Sequence, residues 1–242
     1  MANSQVSSNC LYNLIYTDFN EEFSRDSTFF YNMQYPTFFN FNTGYFFVNP
    51  SILNNINTLI KKDVDDFRNG LAKEEQDYNS TVADNKPEEK IIYSAFSNYA
   101  VTFNKNHLLS VVVNVLGFSG NTLPKYDALY NYNYDLLTGN KINLKDIFNS
   151  GVDYIKVITD YVNYKINQNK DLYFENVEFF ITDNQAFYLE DDGLVVYFDA
   201  GELAKEEFGT SKFKLTFSKF APYINPRFYC EGTNLKRRIY RR

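Results

Sequence analysis

Between residues 90 and 135 three strand-length runs follow one another with little between them, and this restricts the fold more than any other feature. "KIIYSAFSNYAVTFNKN" and "HLLSVVVNVLGFSG" are separated only by turn-like residues and read as a long antiparallel hairpin. The third run, "YDALYNYNYDLLTG", puts Tyr126, Tyr130, Tyr132 and Tyr134 on one side with Ala128 and Leu136, because successive strand side chains point to opposite faces. Asp127, Leu129, Asn131, Asn133 and Asp135 take the other side, the one expected to meet water. The tyrosines are expected to pack under a helix with their hydroxyls reaching its rim.

Two helices are available for that cover. In "NPSILNNINTLIKKDVDDF", Asn49 suits the N-cap and Pro50 the first turn, where its missing amide hydrogen costs nothing. Ile52, Ile56, Leu59, Ile60, Phe67 and Leu71 form one apolar stripe at helical spacing. The polar run "AKEEQDYNSTVADNKPEEK", broken by Pro87, reads as a mobile connection. A second helix is expected over 151–169, with Ser150 as N-cap, Asp153 completing a capping-box arrangement, and Tyr154, Ile158, Tyr161, Val162 and Ile166 buried.

Before the first helix, "CLYNLIYTDF" is strand-like, and "STFFYNMQYPTFFNF" is a strand whose Pro36 calls for a sheet edge or bulge. After the second, "TDN" and "EDDG" supply turns between apolar runs, "AGELAKEEFG" fits one or two helical turns, and "SKFKLTFSKF" alternates as a strand. Strands with two segregated helices give an α+β fold, antiparallel β-sheets with two main helices packed on them, rather than a βαβ repeat. The organisation read from this is an N-terminal arm (1–27), a first α+β subdomain (28–105), a second (106–230) and a basic C-terminal tail (231–242). The arm is expected to pair with a sheet, its own or a neighbour's.

Composition supports a packed core: 24 Phe and 21 Tyr, with no Trp, supply large side chains despite a mean hydropathy of -0.42. Part of the tyrosine excess fits the codon bias of an AT-rich bacterial genome. The net charge of -6 argues against nucleic acid as a partner, since phosphate binding needs a basic surface. Lys236, Arg237, Arg238, Arg241 and Arg242 concentrate positive charge at the C-terminus, either as a solvated chain end or as a tail docking on an acidic neighbouring copy or an anionic polymer. No run reaches the ~18 apolar residues of a membrane span. "MANSQVSSNCLYNLIY" lacks the charged start and apolar centre of a signal peptide, so the chain is read as made without secretion or as a mature form.

Catalytic and metal chemistry have no evident carrier. His107 is the single histidine, expected as a turn or edge residue. Cys10 and Cys230 lie near opposite ends, without metal or redox spacing; they are ordinary thiols or bridge within or between chains. "GFSG" at Gly117 to Gly120 is not a nucleophile elbow. Asp65-Asp66, Glu190-Asp191-Asp192 and Glu206-Glu207 are adjacent carboxylates, whereas an acid and base must converge on one cleft. Asp191-Asp192-Gly193 reads as a hairpin turn, with a weak Ca²⁺ site as the minority alternative. No cofactor is called for.

Three passages carry a family resemblance. "YNMQYPTFFNF" followed by "ILNNINTLI", "YNYDLLTGNKINLKDIF", and "LVVYFDAGELAKEEFGTSKFKLTF" together resemble the RsiV/PdaC-like family, over about Thr28 to Tyr223. These are paired non-catalytic domains found beside peptidoglycan deacetylases and in the lysozyme-sensing anti-sigma factor. The resemblance implies an α+β fold with helices over one side of antiparallel sheets, and binding at the cell envelope rather than catalysis. It transfers no contact residues: the Gly-Gly-x-His segment common in the family is replaced by "GFSGNTLPKYDALYN", which has no histidine.

Two non-enzymatic readings follow. The first is a structural protein that self-assembles into homo-oligomers or polymers on a spore or cell surface, as a spore coat, exosporium or appendage subunit. It draws on the arm, the basic tail and an inter-subunit Cys10–Cys230 bridge. The alternative is a cell-envelope binding module for peptidoglycan, glycan or lysozyme. A hydrolase with a cryptic carboxylate pair is a distant third.

Overall fold

The computed structural model of the protein describes residues 11–13, 15–41, 47–82, 86, 89–120 and 123–229. Five strands, β1 (Ile15–Arg25), β2 (Phe29–Asn40), β3 (Tyr93–Lys105), β4 (Leu108–Ser119) and β5 (Tyr126–Asp135), form one sheet in chain order. The hairpin between β3 and β4 turns on Asn106 and His107, with φ of 55° and 60°. Positive φ at both positions gives a tight turn whose twist matches the flanking strands. Residues 105 and 106, where the sequence suggests a division, are therefore at a hairpin tip, and the sheet runs through them. The arm supplies β1, which pairs antiparallel with β2 along its whole length.

Helix α1 (Pro50–Asn79) connects β2 to β3, and these two strands are parallel. The expected antiparallel sheet thus contains one βαβ unit, since a parallel pair needs a long crossover and α1 provides it. Side-chain alternation records faces, not strand direction. β2 pairs with β3 only over Phe29 to Met33, so Pro36 lies beyond that ladder. There the side chain of Asn57, on α1, accepts from the Phe38 amide (2.8 Å) and donates to the Phe38 carbonyl (2.9 Å), standing in for a missing strand.

Asn49 caps α1 by accepting from the Ser51 amide, and Pro50 opens the helix. Leu53, Ile56, Ile60, Val64 and Leu71 are buried with Met33, Ala95, Val111, Val113, Val115 and Tyr132 of the sheet. Each such aliphatic side chain contributes roughly 1.5–3 kcal/mol relative to exposure. Leu59, expected in this stripe, sits at its margin and is exposed. The helix also continues through Ala72 to Asn79, where the sequence suggested a mobile connection. Those charged residues are its solvent face, while buried Asn79 clamps Ile91, donating to its carbonyl (2.9 Å) and accepting from its amide (3.0 Å).

The second layer is a three-stranded antiparallel sheet, β6 (Phe187–Glu190), β7 (Gly193–Phe198) and β8 (Ser211–Thr216), with helix α2 (Tyr154–Gln168) and a short α3 (Phe217–Phe220). The N-cap of α2 is Asp153, which accepts from the Lys156 amide, and not Ser150 as expected. Gly151, at φ +82°, turns the chain before the helix begins. Ile158, Val162 and Ile166 join Leu144, Ile147, Leu189, Val196, Phe213 and Leu215 in a second core. A register shift between Val101 and Phe103 swings Phe103 from the α1 face into this core, as a bulge re-aims the side chains after it.

The polar face of β5 does not meet water where the second sheet lies against it. Asn133 is fully buried: its side chain accepts from the Ser110 hydroxyl (2.6 Å) and donates to the Phe187 carbonyl (2.8 Å). The Leu189 amide in turn donates to Ser110 Oγ (3.0 Å), and the Asn131 side chain donates to the Tyr197 hydroxyl (2.7 Å). Leu129, Tyr188, Val195 and Tyr197 close the seam with apolar contact. The asparagines that looked like a wet surface are thus a hydrogen-bonded joint between two sheets.

Candidate binding groove along the edge strand

β5 is the outermost strand of the five-stranded sheet, and a groove of about 460 Å³ runs beside it. Its walls are Leu59 and Asp63 of α1 on one side and Ala186, Tyr197 and Asp199 of the second sheet on the other. Tyr130, Tyr132 and Tyr134 line it from β5, and Lys141 stands near the Tyr134 end.

The tyrosine row is positioned as its alternation dictates. Tyr132 is buried beneath α1 and its hydroxyl donates to Asp63 Oδ2 (2.9 Å). Tyr130 and Tyr134 are half-buried against the same core, and Tyr126 reaches Glu74 at the helix rim (2.5 Å). Burial, reinforced by the Asp63 charge, pushes the phenols of Tyr130, Tyr132 and Tyr134 above the usual tyrosine range, furthest for Tyr132. They therefore stay protonated at neutral pH, as hydrogen-bond donors. On the facing wall the Tyr197 hydroxyl donates to the Leu129 carbonyl (2.6 Å), and burial pushes it up to about 12.

Charge in the groove is unevenly satisfied. On neighbouring positions of α1, Asp65 is paired with Lys61 and Arg68, and Asp66 with Lys62. Among the described residues no basic side chain lies within ion-pair distance of Asp63 or Asp199. The groove thus offers ring faces, phenol donors, two carboxylates without a cation, and one ammonium at its end. Such a surface can stack, hydrogen-bond and hold a positive group.

The other sequence candidates do not meet here. His107 occupies the hairpin turn, its amide donating to Asn13 Oδ1 (2.6 Å), and borders an apolar cavity of about 310 Å³ with Leu11, Tyr12, Phe47, Leu136 and Leu137. Asp191 and Asp192 form the β6–β7 turn; Asp191 pairs with Lys105, and Asp192 and Glu190 with Lys214. Glu206 and Glu207 lie in a 3-10 turn, and the "GFSG" residues end β4. Among the described residues no three His, Cys, Asp or Glu side chains gather to hold a metal. No described helix is long and apolar enough to cross a membrane. Cys10, Cys230 and the tail residues Lys236, Arg237, Arg238, Arg241 and Arg242 lie outside the described residues. Asp63 is not legible as a site residue in the sequence because it stands outside the adjacent acidic pair Asp65-Asp66; its position at the margin of the apolar stripe, four residues after Leu59, is the available signal.

Comparison with known proteins fits this two-layer organisation. Residues 23–124, holding the end of β1 and all of β2, α1, β3 and β4, match a family described as "Deacetylase PdaC". Residues 145–218, holding α2 and the second sheet, match "Protein of unknown function (DUF3298)". The chain carries the two domains found in RsiV/PdaC-like proteins. A crystal structure of a DUF3298 family member from Bacteroides fragilis NCTC 9343 is similar, with 14% identity, a TM-score of 0.62, and coverage of 89% of this chain and 95% of that one. A DUF3298 family protein from Pseudomonas aeruginosa PAO1 aligns with 12% identity and a TM-score of 0.55, covering 90% of this chain and 97% of the other. At such identities the likeness is one of fold. No curated protein matches the chain in sequence. The groove lies where the PdaC-type part, through α1, faces the DUF3298 part, through Ala186, Tyr197 and Asp199, with β5 between them.

Proposed function

We propose that this chain is a non-catalytic binding module of the bacterial cell envelope, and that its ligand lies along the β5 groove. The observation that carries the reading is the placement of a tyrosine-lined groove at the meeting of the two domain types found in RsiV/PdaC-like proteins. Ligand sites favour such junctions, where two separately built walls enclose one strip of surface. Non-enzymatic status is part of the proposal, and so is a location at the cell surface. Purified peptidoglycan and lysozyme are the first ligands to test. Retention of the full chain on either, weakened by Tyr130→Ala or Tyr134→Ala, is the expected result. Absence of retention on both would remove the reading.

Self-assembly into a spore coat, exosporium or appendage is the second reading. The stretch of the outer edge of β5 that no described strand covers favours it, since an open strand accepts a neighbour's strand. Against it, β1 is already paired with β2 inside the molecule and is not available for donation. Sedimentation over a wide concentration range decides: a constant monomer mass excludes assembly.

A further inference from the structure

We infer that the groove takes an extended polypeptide segment of a partner protein, added as a strand on the outer edge of β5 and seating a lysine or arginine against Asp63. This rests on the groove being the ligand site and names what the ligand is.

The backbone gives the first argument. At the far end of β5 the edge is already used: the Ile142 amide donates to the Asn133 carbonyl (2.8 Å) and the Asp135 amide donates to the Asn140 carbonyl (3.0 Å). The edge is therefore competent for strand pairing, and residues 140–142 mark where an incoming strand must stop. Because antiparallel strands alternate the direction of their backbone groups, an outward Asn133 carbonyl means that Asn131 and Leu129 also turn theirs outward. The Leu129 carbonyl is met by the Tyr197 hydroxyl. No described strand pairs with the Asn131 amide and carbonyl or the Leu129 amide. A segment of about five residues, roughly 17 Å long, fits this stretch.

The walls give the second argument. Side chains of an added strand alternate between the α1 side, where Asp63 and Tyr130 wait, and the second-sheet side, where Asp199 stands. Asp63 receives a hydrogen bond from Tyr132 and has no basic partner within ion-pair distance among the described residues, although the carboxylates beside it on α1 do. A cation arriving there meets the carboxylate and the flanking tyrosine ring together, a combination that holds ammonium and guanidinium groups. The net charge of -6 favours the approach of a basic protein. Lys141, at the closed end, limits the preference to the Asp63 end.

The test uses the full chain and five probes: an acetylated, amidated (Lys-Thr)4 peptide, its (Glu-Thr)4 counterpart, two forms of (Lys-Thr)4 methylated on alternate backbone nitrogens, one in each phase, and a chitin hexamer as the glycan. Expected are binding of (Lys-Thr)4, at least tenfold weaker binding of (Glu-Thr)4, loss of binding for one methylated phase, and slowed hydrogen exchange at the Leu129 and Asn131 amides. Asp63→Asn, which keeps an acceptor for Tyr132, should weaken (Lys-Thr)4 by about five- to tenfold. Equal binding of both methylated phases and the parent peptide overturns strand addition, as does equal binding of (Glu-Thr)4 for the cation. If only the hexamer protects β5, the inference fails and the groove-binding reading survives. If no probe, peptidoglycan or lysozyme perturbs β5, both fail.

Discussion

Asn133→Ala tests the joint between the two sheets. The substitution leaves the buried Phe187 carbonyl without its 2.8 Å donor and the Ser110 hydroxyl without its 2.6 Å acceptor. An orphaned buried group costs about 1–3 kcal/mol, and the Ser110 hydroxyl can turn to recover part of its loss, so about 2–4 kcal/mol is expected. For a chain of this size that lowers the melting temperature by roughly 5–15 °C. Thermal and urea melts of Asn133→Ala, Ser110→Ala and the double variant form the assay. The double variant should lose less than the sum of the singles by about 0.5–1 kcal/mol, because the Ser110–Asn133 bond is shared. Asn98→Ala, on an exposed position of β3, is the control and should stay within about 0.5 kcal/mol of the parent. If Asn133→Ala melts with that control, water reaches the seam and the dry-joint argument is wrong.

Asn57→Ala removes both bonds to the Phe38 backbone and is expected to cost about 2–3 kcal/mol, read as a lower urea midpoint with an unchanged slope. Gly139→Ala forces a side chain into a φ of +77° and puts its Cβ 2.9 Å from Ile52 Cγ1, so a loss of about 1–3 kcal/mol is expected; a neutral result would mean that the turn relaxes. The Glu22 carboxyl, bonded by Lys61, Tyr35 and Arg68, is held down at about 2, against an ordinary value of 4.5. A depressed folded-state value stabilises the fold above pH 4.5 and loses that contribution as the pH falls toward 2. Glu22→Gln should therefore destabilise by about 1 kcal/mol at pH 7, after allowance for solvent screening, and much less at pH 2; equal destabilisation at both would refute the linkage.

The face of the tyrosine strand that packs under α1 was readable because an aromatic residue recurs at alternate positions, and a helix with a matching stripe stood earlier in the chain. The hairpin turn at Asn106 and His107 was likewise local. The opposite face was misread because Asn131 and Asn133 look the same whether they bond to water or to Ser110, Phe187 and Tyr197; the difference lies in residues 23 to 66 positions away. The helical extension through Ala72 to Asn79 was hidden by its charge, since Asn79 is the one buried residue of that stretch and Ala72 its one partly buried apolar residue packed against the core. The parallel pairing of β2 and β3 leaves no mark on side-chain alternation. For the groove, the tyrosines were visible in the sequence, but its walls come from α1 and β7, and no local pattern announces that they converge.

Residues 125–144, between the two family matches, contain the whole of β5. A fragment that stops at 124 would leave β4 with a bare flank and Val111, Val113 and Val115 without the tyrosine row beside them. One that starts at 145 would lack Phe103, Leu108, Ile142 and Leu144 from its interior. Each piece is expected to precipitate when expressed alone, so biochemical dissection of this protein has to keep the linker strand and both its neighbours in a single polypeptide.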